Sequence, residues 1–153
     1  MENNHIDIKN KLDEGLTFKI SRFKEQIKKT KPHKHDEYNE FIFLSEGEGF
    51  HCIESEKFMV STPEFYFLKP GQLHFWQFTS IPKGFVIIFK DNEFNLVNEN
   101  LLIDLLRKLS DITRLEIQSD KYPTHILEDI FSEFQLNTQY SKEIIHGLLK
   151  ALF

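Results

Sequence analysis

The sequence has too little cysteine to form a disulfide and too little positive charge to bind nucleic acid by itself. Its single cysteine, Cys52, excludes an internal disulfide and fits a reducing compartment. Lys and Arg number 19 against 24 Asp and Glu, whereas affinity for a phosphate backbone depends on basic side chains. The polar N-terminus does not predict a secretory leader, and no apolar run approaches the ~18 residues of a membrane span. We therefore expect a cytoplasmic domain.

Phenylalanine, in contrast, is abundant. The 153 residues include 16 Phe, four Tyr and one Trp, and a chain of this length suits a single domain. Aromatic side chains pack well on pleated surfaces. Between residues 16 and about 90, seven short runs rich in Phe, Ile, Val and Tyr are separated by turn residues, as in "SEGEG" (45–49) and "ESEK" (54–57). This spacing predicts a mainly β, antiparallel sandwich or barrel.

The pattern changes after residue 91. Apolar residues recur every three or four positions in 98–110, 124–136 and 141–153, which predicts two or three amphipathic helices, the second of them beginning near Pro123. The run "RLEIQS" (114–119) is a candidate additional strand. The predicted organisation is therefore a flexible N-terminal arm (1–15), a β-barrel (16–92) and a helical segment (93–153). The last helix ends without a stop signal, which suggests a segment of a longer protein.

Two histidines and a glutamate form the first polar group of the β half. His33 and His35 are two residues apart, so they share a face in an extended segment. Glu40 reaches that face only if residues 36–39 contain a bulge or a turn. We therefore treat these three side chains as candidate site residues whose convergence depends on local geometry.

The second polar group follows a Pro-Gly turn at residues 70–71. His74 begins a predicted strand in which it shares a face with Trp76 and Phe78. Together with the first group, these side chains are the candidate lining of a binding pocket. The remaining histidines at positions 5, 125 and 146 are scattered, and we expect them at the surface. His51 lies next to Cys52 on the opposite face, which argues against a nucleophile–base pair.

Three imidazoles and a carboxylate, from His33, His35, Glu40 and His74, are a suitable ligand set for Zn, Ni, Mn or Fe as divalent ions. The alternative is that some of these histidines are structural groups bonded to the backbone. The spacing by itself leaves both interpretations open.

The motif His33-x-His35-x4-Glu40-x6-Gly47, followed by Pro70-Gly71-x2-His74, resembles the two motifs of the cupin superfamily. This resemblance implies a small antiparallel β-barrel (a double-stranded β-helix) and assigns His33, His35, Glu40 and His74 as metal ligands. The chain departs from the second motif at Phe78, where family members often have Asn, and this difference weakens an enzymatic interpretation.

A longer stretch, "PHKHDEYNEFIFLSEGEGFH" with "STPEFYFLKPGQLHFWQF" and the helical tail, is similar to the N-terminal half of AraC-type transcription regulators. The resemblance implies a cupin-like barrel that senses a small-molecule effector. It further implies a helical segment that forms a homodimer and a C-terminal DNA-binding domain missing from this sequence. In sugar-sensing members an aromatic residue at the position of Trp76 lines the pocket, and an N-terminal arm closes over the ligand.

Three functions therefore remain open: an effector sensor, a metal-dependent cupin enzyme such as a dioxygenase or isomerase, and a rigid spacer whose pocket has lost its ligand. The sensor is favoured, and no catalytic acid or base besides the four ligands is identified. Apolar stripes on helices usually belong to the chain's own core, but the resemblance favours dimerisation. The candidate dimerisation residues are Ile144, Ile145, Leu148, Leu149 and Leu152.

Overall fold

In a computed structural model the chain forms two facing β-sheets followed by helices, and the structure describes residues 6–94, 100–118, 122 and 124–153. The strands are β1 (Asp7–Ile8), β2 (Phe18–Arg22), β3 (His33–Lys34), β4 (Asn39–Glu46), β5 (Gly49–Ile53), β6 (Glu56–Met59), β7 (Glu64–Leu68), β8 (His74–Phe78), β9 (Lys83–Phe89) and β10 (Arg114–Glu116). The helices are α1 (Asn100–Ser110), α2 (Thr124–Leu136) and α3 (Ser141–Leu152).

One sheet has the strand order β1-β3-β8-β5-β6, and the other has the order β10-β7-β4-β9-β2. The strand pairs are antiparallel except for β1 and β3, which run parallel. The hairpins that join β4 to β5 and β5 to β6 fall on the two predicted turns, and β10 lies within the predicted extra strand. The predicted mainly β fold followed by helices is confirmed.

The central strand β4 is buried on both faces. Phe41 and Phe43 pack towards the helices, whereas Ile42 and Leu44 point into the space between the sheets. Because successive side chains of a strand point to opposite faces, a strand covered on both sides reads as a continuous apolar run. The sequence "FIFL" (41–44) is such an apolar run, and the two faces of β4 therefore belong to two distinct cores.

Gly49 lets β5 approach β8 more closely than a residue with a side chain would allow. Its φ is +127°, and a Cβ built on it would lie 2.1 Å from the carbonyl oxygen of Gln77 on β8. A side chain at this position would therefore push β5 away from β8. The glycine keeps these two strands, and the side chains they carry, in register.

The helices cover the outer face of the second sheet. The apolar side chains of α3 that lie in this core are Ile145, Leu149 and Leu152, with Leu148 packed at its edge, while Ile144 is 43% exposed. The predicted stripe of α3 thus packs mainly on the chain's own barrel, because the outer rings of the sheet need an apolar cover. Within the described residues, no helix has the length and apolar content needed to cross a membrane.

Strand pairing extends beyond the predicted segment boundaries. β1 lies in the predicted arm and pairs with β3, and β10 lies in the helical segment and pairs with β7. Residues 1–5 of the arm and the predicted helix start at Pro123 lie outside the described residues.

Candidate functional site

Four of the predicted site residues meet between the two sheets. His33 on β3 lies directly across from His74 on β8, and His35 follows β3 immediately. A bend at residues 36–37 then carries the chain to β4 in the other sheet, where Glu40 points back at the histidines. All four side chains are buried. The bend supplies the irregularity that the sequence required for Glu40 to join the group.

The distances define a compact cluster. His35 Nε2 lies 3.0 Å and His74 Nε2 lies 3.8 Å from Glu40 Oε2. His33, His35 and His74 each have one ring nitrogen within 4.8 Å of the other two. Three imidazoles and one carboxylate therefore surround a single small volume.

Hydrogen bonds to the opposite ring nitrogens set the tautomers of two histidines. His33 donates from Nδ1 to the carbonyl oxygen of Lys31 (2.8 Å), and His35 donates from Nδ1 to that of Lys9 (2.7 Å). A carbonyl oxygen only accepts, so each Nδ1 carries the hydrogen and each Nε2 keeps its lone pair. Metal-bound histidines are oriented in the same way, through a hydrogen bond from the nitrogen that faces away from the metal.

Three buried atoms at the centre of the cluster have no hydrogen-bond partner of acceptable geometry: His35 Nε2, His74 Nε2 and Glu40 Oε2. A buried polar atom without a partner costs about 1–3 kcal/mol, so a convergent set of them is unfavourable unless something binds there. Lone pairs that converge from imidazole and carboxylate groups suit a divalent transition metal. The residues present therefore fit such an ion.

His33, His74 and the neighbouring His51 are held in their neutral form. Burial lowers the pKa of His33 to about 4 and that of His74 to about 3. Burial, followed by the neighbouring His74, also lowers the pKa of His51 well below its ordinary value. Neutral imidazole is the form that ligates metal, so no proton has to leave these rings at neutral pH.

Lys11 reaches into the site and pairs with Glu40. Its Nζ lies 2.6 Å from Glu40 Oε1, on the oxygen that does not face the histidines. Burial by itself would raise the pKa of Glu40, but opposing effects, led by the charge of Lys11, outweigh it and hold this pKa well below its ordinary value. Glu40 is therefore a carboxylate shared between a cation from the N-terminal segment and the histidine cluster.

The N-terminal segment lies against the cluster at several points. Besides the contacts of Lys9 and Lys11, the backbone N–H of Lys11 donates to the hydroxyl of Tyr38 (2.9 Å), and Leu12 is buried among the side chains of the barrel. Tyr38 in turn lies 2.9 Å from His35 Nδ1. Residues 9–12 thus close one side of the site, and the sequence offered no periodic signal for this contact.

Aromatic side chains form the wall beside the cluster. His51 stacks on Trp76 with ring centroids 3.5 Å apart, and Trp76 stacks on Phe78 at 4.6 Å. His51 Nε2 also lies 2.9 Å from His74 Nδ1, within hydrogen-bond distance. Trp76 and Phe78 therefore lie on the same face of β8 as His74, as their spacing predicts.

Sequence reasoning missed His51 and misplaced another histidine. Alternation along β5 puts His51 on the same buried face as Ile53, and this pattern could have included it in the site. His146, expected at the surface, is 1% exposed and bonds from Nε2 to Glu93 Oε1 at 3.0 Å. The prediction for His146 is wrong because α3 turns this face towards the barrel, where Glu93 offers a partner.

No family model and no curated protein matches this sequence. Among solved structures, the chain is similar to ToxT from Vibrio cholerae, an AraC-family regulator with a cupin-like N-terminal domain, in a 1.65 Å structure. The TM-score is 0.53 at 11% identity, over 90% of this chain and 55% of ToxT. For ToxT of strain SCE256 bound to an unsaturated fatty acid, the values are 0.52 at 12% identity, over 92% of this chain and 54% of ToxT.

A cupin protein from Bacteroides fragilis matches with a TM-score of 0.37 and 20% identity, over 48% of this chain and 64% of that chain. The chain spans about half the length of ToxT and less than two thirds of this cupin. At 11–12% identity the similarity to ToxT shows a shared fold, a cupin-like barrel followed by helices.

Proposed function

We propose that this chain is the effector-sensing and dimerisation domain of a cytoplasmic AraC-type transcription regulator, which controls DNA binding by a separate C-terminal domain. The observation that carries the proposal is the extent of the similarity to ToxT, which covers 90% of the chain and so includes helices as well as barrel.

The effector would bind inside the barrel, beside the aromatic wall of Trp76 and Phe78 and the polar cluster around Glu40. The second sheet has this binding region on one face and the helices on the other. A ligand that binds one arrangement of barrel and helices more tightly than another would shift the population towards the first. The size of this shift would be set by the difference between the two affinities.

Dimerisation through α3 is part of this proposal. Because Ile145, Leu149 and Leu152 hold α3 on the barrel, a second chain would contact the outward side of the helix, where Ile144 is exposed and Leu148 is half-buried. The contact area on each chain would therefore be small and centred on Ile144.

The dimerisation test joins this chain to a DNA-binding domain that represses a reporter gene only as a dimer. Repression is expected for the native chain and its loss for Ile144→Asp, because an isoleucine buried in an interface does not tolerate a charge. The matched control is Leu136→Asp, since Leu136 is 67% exposed on α2. A chain that stays monomeric at high concentration in light scattering would contradict the dimer.

A second candidate function, a metal-dependent cupin enzyme of the dioxygenase or isomerase type, is favoured by the unpartnered atoms of the cluster. His33, His35, His74 and Glu40 would hold a divalent ion, which would supply Lewis-acid or redox chemistry. Glu40 would offer Oε2 to the ion and keep its contact with Lys11 through Oε1, and the carbonyl groups of Lys9 and Lys31 would keep the rings of His35 and His33 oriented.

The metal test is elemental analysis of the purified chain, combined with thermal unfolding before and after chelation. Near-stoichiometric Zn, Ni, Mn or Fe is expected, and its removal should lower the melting temperature because an ion that binds only the folded state stabilises it. Both effects should disappear in His33→Ala/His74→Ala and persist in His125→Ala, since His125 is exposed. Equal metal content in all three proteins would contradict binding at the cluster.

A further inference from the structure

A cavity of about 510 Å³ opens where the chain crosses from one sheet to the other, and Lys11, the partner of Glu40, is part of its wall. It lies between β2, β9 and the segment 23–28, which leaves β2 and then runs along β8, where Lys28 accepts a hydrogen bond from the backbone of Phe78. The volume falls within the roughly 300–1,000 Å³ typical of small-molecule pockets.

The charge of this cavity is opposite to that of the whole chain. The protein carries a formal net charge of −5, yet no acidic side chain is found among the described residues that line the cavity. The basic side chains of the lining are Lys11, Lys19, Arg22, Lys24 and Lys28. Concentrating five cations in one concave region raises the local potential and attracts anions.

Three of these cations already have carboxylate partners: Lys11 pairs with Glu40, Lys19 with Asp13 and Arg22 with Glu128. Lys24 and Lys28 have none within ion-pair distance in the described part of the chain. Two cations without an ion-pair partner therefore face the cavity.

Of these two lysines, Lys28 lies in the less favourable environment for a charge. It is half-buried, and its Nζ lies 5.3 Å from the centre of the Phe23 ring. Burial, followed by the repulsion of Lys11, lowers the pKa of Lys28 to about 8. A lysine that is still mainly charged at pH 7 in such a place lowers the stability of the fold, because folding brings the charge out of water and close to other cations.

The remaining walls are apolar. Val86 and Ile88 on β9 and Phe23 on the crossing segment line the cavity. Phe23 also meets Trp76 edge-on, with ring centroids 6.5 Å apart. The cavity thus combines cations without an ion-pair partner at one side with an aliphatic and aromatic surface that continues to the wall of the candidate site.

We propose that this cavity binds an organic anion, with its charged group at Lys28 and Lys24 and its apolar body against Phe23, Val86 and Ile88. The inference rests on the proposed sensor function and names the class of effector: a carboxylate or phosphate that carries a hydrocarbon portion. It also assigns Lys28 a binding role, with a partner that offsets the energetic cost of its position.

The test follows the fluorescence of Trp76, the chain's single tryptophan, during titration with four ten-carbon probes: decanoate, decyl phosphate, decanol and decyltrimethylammonium. The two anions are expected to produce a saturable change, and the neutral and cationic probes a much weaker one. Their relative affinities distinguish a carboxylate from a phosphate ligand.

Lys28→Met keeps most of the side-chain length and removes the charge, so anion affinity should fall about 10- to 100-fold, as for the loss of a charge-assisted contact. Lys57→Met is the matched control, because Lys57 also lies over a phenylalanine ring, 4.0 Å from the centre of Phe50, but does not line the cavity. This control should bind the anions as the native chain does.

The melting temperature at pH 7 separates a binding role from a structural one. Lys28→Met should melt at a higher temperature than the native chain, because it removes a charge that destabilises the empty protein. A lower melting temperature together with weaker binding would mean that Lys28 is structural and would overturn the assignment. Equal binding of decanol and decanoate, or no binding of either anion, would overturn the ligand class. None of these results alters the dimer-dependent reporter test of the sensor itself.

Discussion

The two cores on either side of β4 are built from different chemistry. The outer core, between the second sheet and the helices, is dominated by phenylalanine rings, with Phe41, Phe43, Phe65 and Phe67 at its centre. The inner core, between the sheets, buries several ionisable side chains next to its aromatic residues. Among them are His33, His35, Glu40, His51, Glu64 and His74.

One strand serves both cores because its side chains alternate. Glu40, Ile42 and Leu44 point inwards, and Phe41 and Phe43 point outwards. Burial of the outer rings contributes hydrophobic stabilisation without any polar group to satisfy, whereas each inner polar group needs a partner. The outer core therefore stabilises the fold by apolar burial alone, whereas the inner core carries polar groups whose burial lowers stability unless each has a partner.

The largest expected effect is on the outer core. Phe41→Ala should lower the free energy of unfolding by about 3–5 kcal/mol, since Phe41 is 1% exposed and its ring contacts those of Phe67, Phe89 and Phe153. Urea denaturation measures this loss. Met59→Ala, at a residue that is 60% exposed, is the control and should change stability by no more than about 0.5 kcal/mol. A loss as small as that of the control would contradict the assigned role of the outer core.

The next effect concerns the polar contact that joins α3 to the barrel. Glu93 is 3% exposed, accepts a hydrogen bond from Thr17 Oγ1, and lies 3.0 Å from His146 Nε2 and 3.5 Å from Lys142 Nζ. Glu93→Gln should cost about 1–3 kcal/mol at pH 7, because a buried charged acceptor loses its partners. Glu143→Gln, at an exposed position of α3, is the control.

This cost should depend on pH with a defined sign. Burial by itself would raise the pKa of Glu93, but the contacts of His146, Thr17 and Lys142 lower it below the ordinary value of 4.5. Stabilisation by the ionised group is therefore complete above pH 4.5 and is lost as pH falls towards the lower pKa of the folded state. Urea titrations at pH 5, 4 and 3 should show a decreasing difference between native and Glu93→Gln chains, and an increasing one would exclude this explanation.

The smallest effect is expected at the surface of the outer core. Arg22 donates to Glu128 on α2 and also lies over the rings of Phe85 and Phe131. Glu128→Gln removes the ion pair but keeps the ring contacts, so we expect a loss of about 0.2–1 kcal/mol that shrinks at high salt. A loss above 2 kcal/mol in denaturation experiments would show that exposed charges, and not only the rings, hold α2 on the barrel.

Much of the fold followed from local patterns. Alternation and turn residues predict the hairpins around β5, and apolar spacing predicts α1, α2 and α3, because both signals come from neighbours within one element. The three candidate histidine ligands were identified for a related reason, since His33 and His35 share a face and His74 begins a strand after a turn. Contacts that involve Lys11, His51 and His146 were missed or misplaced, because each joins segments far apart in the chain.

Periodicity and residue type are local properties, so the amino-acid sequence already specifies the type and order of the elements and the chemistry available in the β half. Packing between distant segments then set how these side chains are used. It placed Lys11 on Glu40, stacked His51 on Trp76, turned α3 towards its own barrel and left Lys28 facing a cavity without a carboxylate. These outcomes depend on strand register and on the packing of helices against sheets, which bring together residues that no local pattern relates.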